Sequence, residues 1–201
     1  TKVFICRFFK SCMEFNEVIK RRASIRNYSP KKPRTEDIIK CLDYANLAPS
    51  PGNLSLLRYI IIENQEKIDK IAECCQQKFI KQAKIIVVIC SDSKRAINLY
   101  DERAEKYIKH NAGAAIENFL LKITEMGLAS CWVGAFVDSM VKNELRIPEE
   151  IEIEAIFPIG YQAKTNKTKQ KTKLSINERL FFETWKNRYR MPLEKVRRED
   201  I

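Results

Sequence analysis

Histidine is almost missing from this chain: His110 is the one histidine among 201 residues. Hydrolases that use a serine or cysteine nucleophile need a base beside it, most often an imidazole. Zinc sites draw on several histidines or on closely spaced cysteines. A lone histidine near a helix start supplies neither arrangement, so we expect no hydrolase triad and no metal site.

The cysteines lack the spacing of metal ligands. The chain has seven of them, an odd number, and no C-x-x-C pair occurs. Several lie in apolar stretches such as residues 87–90 and 130–133. Reduced, buried thiols of this kind are typical of cytosolic proteins, so we predict a cytoplasmic location. We interpret Cys131 as a small buried residue and not as a redox nucleophile.

Long apolar runs and phosphate-binding loops are absent as well. No apolar stretch reaches the ~20 residues that cross a bilayer. Residues 3–9 are apolar but short, are interrupted by Arg7, and are followed by no small-residue cleavage site, so we expect neither a signal peptide nor a membrane partner. The fingerprints G-x-G-x-x-G and GxxxxGK[ST] are missing, which argues against a doubly wound nucleotide fold.

Positive charge is plentiful. The chain has 37 basic and 26 acidic residues, a net charge of +11, with clusters of basic residues in 164–173 and 186–198. Such a surface attracts nucleic acids, acidic membranes or phosphorylated cofactors. No aromatic residue lies between the lysines of the first cluster to stack on bases, so we expect no nucleic-acid partner. A basic binding module with a vestigial cofactor site stays as a hypothesis of another class.

The apolar pattern predicts the order α-α-β-α-β-α-α-β-α-β followed by an arm, hence an α+β sandwich around a mostly buried sheet. Strands are predicted at 56–62, 85–90, 130–136 and 151–159. Helices are predicted at 14–22, 35–47, 65–77, 111–127 and 139–146. Thr35 is expected to cap the second helix. We divide the chain into an N-terminal tail (1–13), one domain (14–185) and a basic C-terminal tail (186–201).

One short segment concentrates hydrogen-bond donors. Residues 21–28, RRASIRNY, place three arginines and a serine within six residues. Each charge-assisted bond from such donors is worth roughly 1.5–3 kcal/mol, which suits a phosphate. The alternative is a solvated basic helix end, because cations also stabilise a helix C-terminus.

Five segments in fixed order resemble the nitroreductase family of flavin-dependent oxidoreductases: residues 21–28, 48–62, 111–121, 127–136 and 156–163. The resemblance implies a three-layer sandwich with a mostly antiparallel sheet and an extended C-terminal arm exchanged in a homodimer. It implies two FMN molecules, rather than FAD, at the subunit interface. It also implies ping-pong hydride transfer from NADH or NADPH to a small-molecule acceptor such as a nitroaromatic, a quinone or a flavin.

The resemblance also assigns cofactor contacts. Arg22, Ser24 and Arg26 match the family's phosphate and flavin-edge motif, and Lys171 or Lys173 resembles the late basic residue that completes the phosphate site. The family's S-x-x-N turn, lent by the partner subunit, matches Ser50 to Asn53, and the implied contacts are Pro49, Ser50 and Asn53. The segment beside the flavin ring matches Trp132, Val133, Gly134 and Ala135, with the Gly134 N–H facing the flavin N5.

These assignments are consistent with the missing acid–base triad, and two of the residues also have structural alternatives. A flavin carries hydride chemistry itself, so the missing acid–base triad is consistent with the resemblance. Asn53 also has a purely structural alternative as a turn residue, and Trp132 has one as a core residue.

The chain departs from the family after the S-x-x-N turn. Many relatives continue x-Q-P-W, whereas residues 54–57 here are LSLL. The rim of the pocket therefore differs, and family substrates do not carry over. A specialised enzyme with one narrow substrate, acting by flavin fragmentation or dehalogenation, is the alternative that this change favours.

Overall fold

The computed structural model describes residues 13–164 and 175–188. The chain divides into two units, residues 1–166 and 167–201. The first unit has α1 Phe15–Arg21, α2 Thr35–Ala45, β1 Leu57–Ile62, α3 Gln65–Cys74, β2 Ile85–Asp92, α4 Lys94–Tyr100, α5 Ala104–Glu125, β3 Ala129–Ser130, α6 Asp138–Leu145 and β4 Ile151–Gly160. This is the predicted order of elements.

The sheet is antiparallel throughout, with the strand order β1-β2-β4-β3. Its central strand β2 is buried on both faces, as its continuous apolar run predicts. One face packs on α2 and α5 through Ile85, Val87 and Ile89. The other packs on α3 and α6 through Ile86, Val88 and Cys90. The predicted three-layer α+β sandwich is confirmed.

The strand predicted at 130–136 is wrong, because β3 ends at Ser130. Ser130 pairs with Ile159, and the next residue of β4 in that direction is Pro158, which has no N–H for the ladder. The Pro158 carbonyl instead accepts hydrogen bonds from the hydroxyls of Ser130 (2.9 Å) and Tyr28 (3.1 Å). The chain then meets β4 again where Val133 pairs with Ile156. Residues 131–136 therefore run along the sheet edge as irregular backbone.

Three helix predictions also need correction. The helix predicted at 111–127 begins seven residues earlier, at Ala104, where the turns face mostly water and give a weak apolar pattern. The predicted order of elements includes a helix at the place of α4, but no bounds were predicted for it. Thr35 is the first residue of α2 and not its cap: its hydroxyl donates to the Glu63 carboxylate at 2.6 Å.

The second unit is described over residues 175–188. This stretch of the predicted arm holds a 3₁₀ turn at Ile176–Glu178 and an edge-to-face ring pair, Phe181 and Trp185, with centroids 4.8 Å apart. The tail residues 1–12 and 189–201 lie outside the described residues. Exchange of the arm between subunits stays a prediction, as do the domain boundaries.

Among the described helices, none is both long enough and apolar enough to span a bilayer.

Candidate cofactor site

The segment after α1 carries three donors, Arg22, Ser24 and Arg26, along the sheet edge. Ser24 pairs in parallel with Ser130, and the Ile25 N–H donates to the Ser130 carbonyl at 2.9 Å. Ser24 and Arg26 are exposed and flank the buried Ile25 in sequence, and Arg22, at the end of α1, lines a cleft beside α5 together with Ile25. The sheet therefore fixes this donor array within a single chain.

Both arginines of the array are oriented by other side chains. Arg22 Nε lies 3.3 Å from Glu117 Oε1 on α5, which leaves its terminal nitrogens available. The Arg26 guanidinium lies over the Phe79 ring, 5.9 Å from its centroid. Held in this way, the two guanidinium groups lose less side-chain entropy when they bind an anion.

Cys131 is buried and lies within reach of Ser24 and Arg26. Its burial raises the pKa of the thiol, against the lowering effects of the Arg26 charge and of hydrogen bonds with Ser24 and Arg26. The net pKa stays above the ordinary value, so the thiol is protonated at neutral pH. This agrees with a small packing residue and not with a nucleophile.

The segment 132–135 directly follows Cys131 and carries the Gly134 amide. Val133 is buried, and both its N–H and its carbonyl bond Ile156 at 3.0 Å, so it anchors the segment. Gly134 and Ala135 are exposed, and the Gly134 N–H has no acceptor among the residues that the structure describes. An added Cβ at Gly134 would meet nothing within 4 Å. A ligand atom can therefore approach this amide closely.

Trp132 combines features of its two interpretations, a cofactor contact and a core residue. The residue is 43% exposed, yet its ring packs on the ring of the core residue Phe157, with 6.0 Å between the centroids. The indole thus has one part in the core and one part on the surface next to Gly134. It can serve as an apolar wall for a ring bound at this edge.

The turn at residues 49–53 lines a different cleft. Gly52 and Asn53 have φ values of +57° and +55°, and the Asn53 side chain is exposed. An added Cβ at Gly52 would lie 2.7 Å from the Tyr100 hydroxyl, so glycine suits both the conformation and the space. Ser50 and Asn53 line a cavity of about 340 Å³ together with residues 54–57, Tyr59 and Asn111.

The predicted contacts thus form two groups. The array Arg22, Ser24 and Arg26 is joined through β3 and Cys131 to the segment 132–135, whereas Ser50 and Asn53 line the second cleft and Pro49 directly precedes them. Lys171 and Lys173 lie outside the described residues.

Sequence reasoning missed two residues of α5, Glu117 beside Arg22 and Asn111 beside Pro49. A signal existed for Asn111, which is a polar residue on the apolar face of a helix.

Comparisons with known proteins agree on one family. The model of the nitroreductase family matches residues 19–78 and 72–161. A protein of Archaeoglobus fulgidus, provisionally named NADH dehydrogenase/NAD(P)H nitroreductase, is 32% identical over 150 residues, covering 72% of this chain and 83% of the relative. An iodotyrosine deiodinase of Thermotoga neapolitana is 26% identical over 161 residues, covering 72% of this chain and 87% of the relative.

A solved structure agrees as well. The FMN-dependent nitroreductase of Clostridium difficile R20291 superposes with a TM-score of 0.71 at 26% identity, covering 84% of this chain and 98% of that one.

Proposed function

Because the chain belongs to the nitroreductase family, we propose that it is an FMN-dependent NAD(P)H oxidoreductase that acts as a homodimer through a ping-pong hydride mechanism. One observation carries the proposal: the segment with two oriented arginines and a serine pairs with β3, and the chain that follows β3 carries a glycine amide that has no acceptor among the described residues. These residues fit the two ends of FMN. The FMN-dependent relative from Clostridium difficile supports FMN over FAD.

Arg22, Ser24 and Arg26 would hold the phosphate. A phosphate monoester carries close to two negative charges, which the two guanidinium groups offset in part, because Glu117 already pairs with Arg22. Planar N–H forks match its oxygens, and the Ser24 hydroxyl adds a short donor. The extended backbone of this segment is paired to β3, so the donors keep their spacing without the ligand.

Gly134 and Trp132 would line the ring. The isoalloxazine ring supplies hydride transfer when FMN is bound. The Gly134 amide would donate to N5 at close range, since no side chain intervenes. The partly exposed Trp132 indole would keep water from one border of the ring. Val133 acts through the backbone, fixing the segment to Ile156.

The turn at 49–53 would complete the site of a second subunit. The Asn53 amide has donors and an acceptor, which suits the pyrimidine edge of the flavin, and its side chain points into solvent in one chain. An apolar groove of about 490 Å³ lined by Phe15, Tyr44, Leu47 and Leu121 supports a partner copy. Phe15 and Leu47 are 66% and 75% exposed, which is costly on an isolated chain.

We propose nitroaromatics, quinones or free flavins as acceptors. The second candidate is one narrow substrate handled by dehalogenation or flavin fragmentation, which the LSLL rim at 54–57 and the similarity to an iodotyrosine deiodinase favour. A panel of acceptors separates the two: broad turnover supports the first, and a single accepted class supports the second.

We also propose a cytoplasmic location, since the described cysteines are buried free thiols.

The test is the absorption spectrum of the purified protein with the released cofactor identified by mass. We expect flavin bands, an FMN mass and one FMN per chain, followed by bleaching when NADH or NADPH is added without oxygen. A colourless protein that takes up neither FMN nor FAD would contradict the proposal. That result would favour the other hypothesis, in which the chain is a basic binding module with a vestigial cofactor site.

A further inference from the structure

Asn111 is a buried polar residue whose side chain makes a long-range hydrogen bond. It lies on α5 at 6% exposure, one of few polar side chains buried in the described part of the chain. Its Nδ2 donates to the Pro49 carbonyl at 2.7 Å, across 62 residues of sequence. A buried amide is costly unless it is hydrogen-bonded, so this contact is the reason that the position tolerates asparagine.

The turn that Pro49 begins has little else to hold it. The 3₁₀ turn Pro51–Asn53 has no buried residue, and two of its residues have positive φ. Its local hydrogen bonds, from Asn53 N–H to Ser50 and from Leu54 N–H to Pro51, shape the turn but do not attach it to the domain. The hydrogen bond from Asn111 attaches it to α5, and the Tyr100 hydroxyl packs against Gly52 from another side.

We propose that Asn111 is a positioning residue, which sets where Ser50 and Asn53 stand relative to α5 and thereby tunes flavin binding. The inference rests on the proposed function, because it takes the turn to be a flavin contact. Asn111 lines the same cavity as Ser50 and Asn53, so a shift of its side chain moves the wall that they form. It acts through the Pro49 carbonyl and not by touching the cofactor.

Helix α5 then serves both parts of the site. Glu117, which orients Arg22, follows Asn111 by six residues, or about 9 Å along a helix. One rigid element thus fixes both the phosphate array and the ring-facing turn. In a homodimer whose sites are shared, each α5 would set the spacing for both sites.

The decisive variant is Asn111→Asp. It is nearly isosteric, but an ionised carboxylate cannot donate to the Pro49 carbonyl, whereas a protonated carboxyl can. Burial raises the pKa of such a carboxyl, so donation returns in mildly acidic solution. We expect FMN affinity, measured by fluorescence titration, to fall roughly tenfold near pH 8 and to recover towards the wild-type value near pH 5. The flavin reduction potential should shift at the high pH alone.

Asn111→Leu has no donor at any pH, so its affinity should stay low across the range. Asn143→Asp, the same change on the exposed face of α6, should follow the wild type and controls for added charge. Wild-type FMN affinity and potential in Asn111→Asp at both pH values would overturn the inference, as would an equal loss at both pH values. Failure of the wild-type protein to bind FMN would instead overturn the proposed function.

Discussion

The two halves of the proposed cofactor site are built differently. Residues 22–26 are paired to the sheet edge, and their arginines are held by Glu117 and Phe79. The turn at 49–53 has exposed side chains, and a single side-chain hydrogen bond attaches it to α5. Rigid donors suit an ion that must be neutralised within one chain. An outward turn suits a contact made with another chain.

The largest expected effect concerns the rigid half. Arg22→Ala should weaken FMN binding roughly 10- to 100-fold, because charge-assisted bonds to the phosphate are worth about 1.5–3 kcal/mol. Arg21→Ala is the matched control: its side chain is 64% exposed and pairs with Glu17, so affinity should barely change. Equal losses in the two variants, by isothermal titration, would remove Arg22 from the phosphate site.

A second prediction concerns the core that supports both halves. Burial raises the pKa of Cys41 and Cys75 to about 12 and of Cys90 to about 11, from an ordinary 9.0. Above pH 9 the unfolded chain loses thiol protons that the folded chain keeps. The contribution of these thiols to the free energy of unfolding is therefore fully present below pH 9. It falls as pH rises towards 11 and 12, by up to about 1.4 kcal/mol per pH unit for each thiol.

Denaturant unfolding between pH 8 and pH 11 tests this sign. The stability of Cys41→Ala should fall less steeply with pH than that of the wild type, although its stability at pH 8 is lower. A stability that is constant from pH 9 to pH 11 would show that the thiols are not held protonated.

The third prediction concerns the outward half. Asn53→Ala should weaken FMN binding roughly five- to tenfold, the value of a neutral hydrogen bond, without lowering the cooperativity of unfolding. Its φ of +55° adds strain for alanine, so Asn53→Gly is the companion variant that removes the amide without that strain. Both variants should lose affinity alike. Unchanged flavin binding in both would take Asn53 out of the site.

The smallest effect concerns the link between α5 and the arginine array. Glu117→Gln keeps an acceptor near Arg22 and removes a negative charge beside the proposed phosphate. Half-exposed ion pairs are worth at most about 1 kcal/mol, so FMN affinity should rise by up to about fivefold. A loss of FMN affinity would mean that the negative charge of Glu117 helps binding by orienting Arg22 more than it hinders binding by competing with the phosphate for Arg22.

The sheet was predictable because each central strand has an apolar pattern that is local in the sequence. The run at 85–90 is short, apolar and mostly β-branched, and the run at 151–159 alternates and then becomes continuously apolar. Both became central strands close to those bounds. The failure at 130–136 has a nonlocal cause: Pro158 lies on another strand and removes the ladder there. The early start of α5 was missed because its first turns face mostly water.

The site was predictable only as a set of segments. Arg22, Ser24 and Arg26 are recognisable from their match to the family's motif, and the structure pairs their segment with β3 at Ser24. Their partners Glu117 and Phe79 are distant in sequence, and no local pattern names them. The attachment of Pro49 to Asn111 depends in the same way on how α5 packs beside the turn.

Complementation in mixed dimers tests the shared site most directly. Arg22→Ala and Asn53→Ala chains, carrying different tags, are co-expressed, and the mixed dimer is purified and titrated with FMN. If each site takes its arginine array from one chain and its turn from the other, the mixed dimer has one intact site and one with both defects. We predict one FMN bound per dimer with wild-type affinity. If no site of wild-type affinity appears, each chain builds its own site, which contradicts the account.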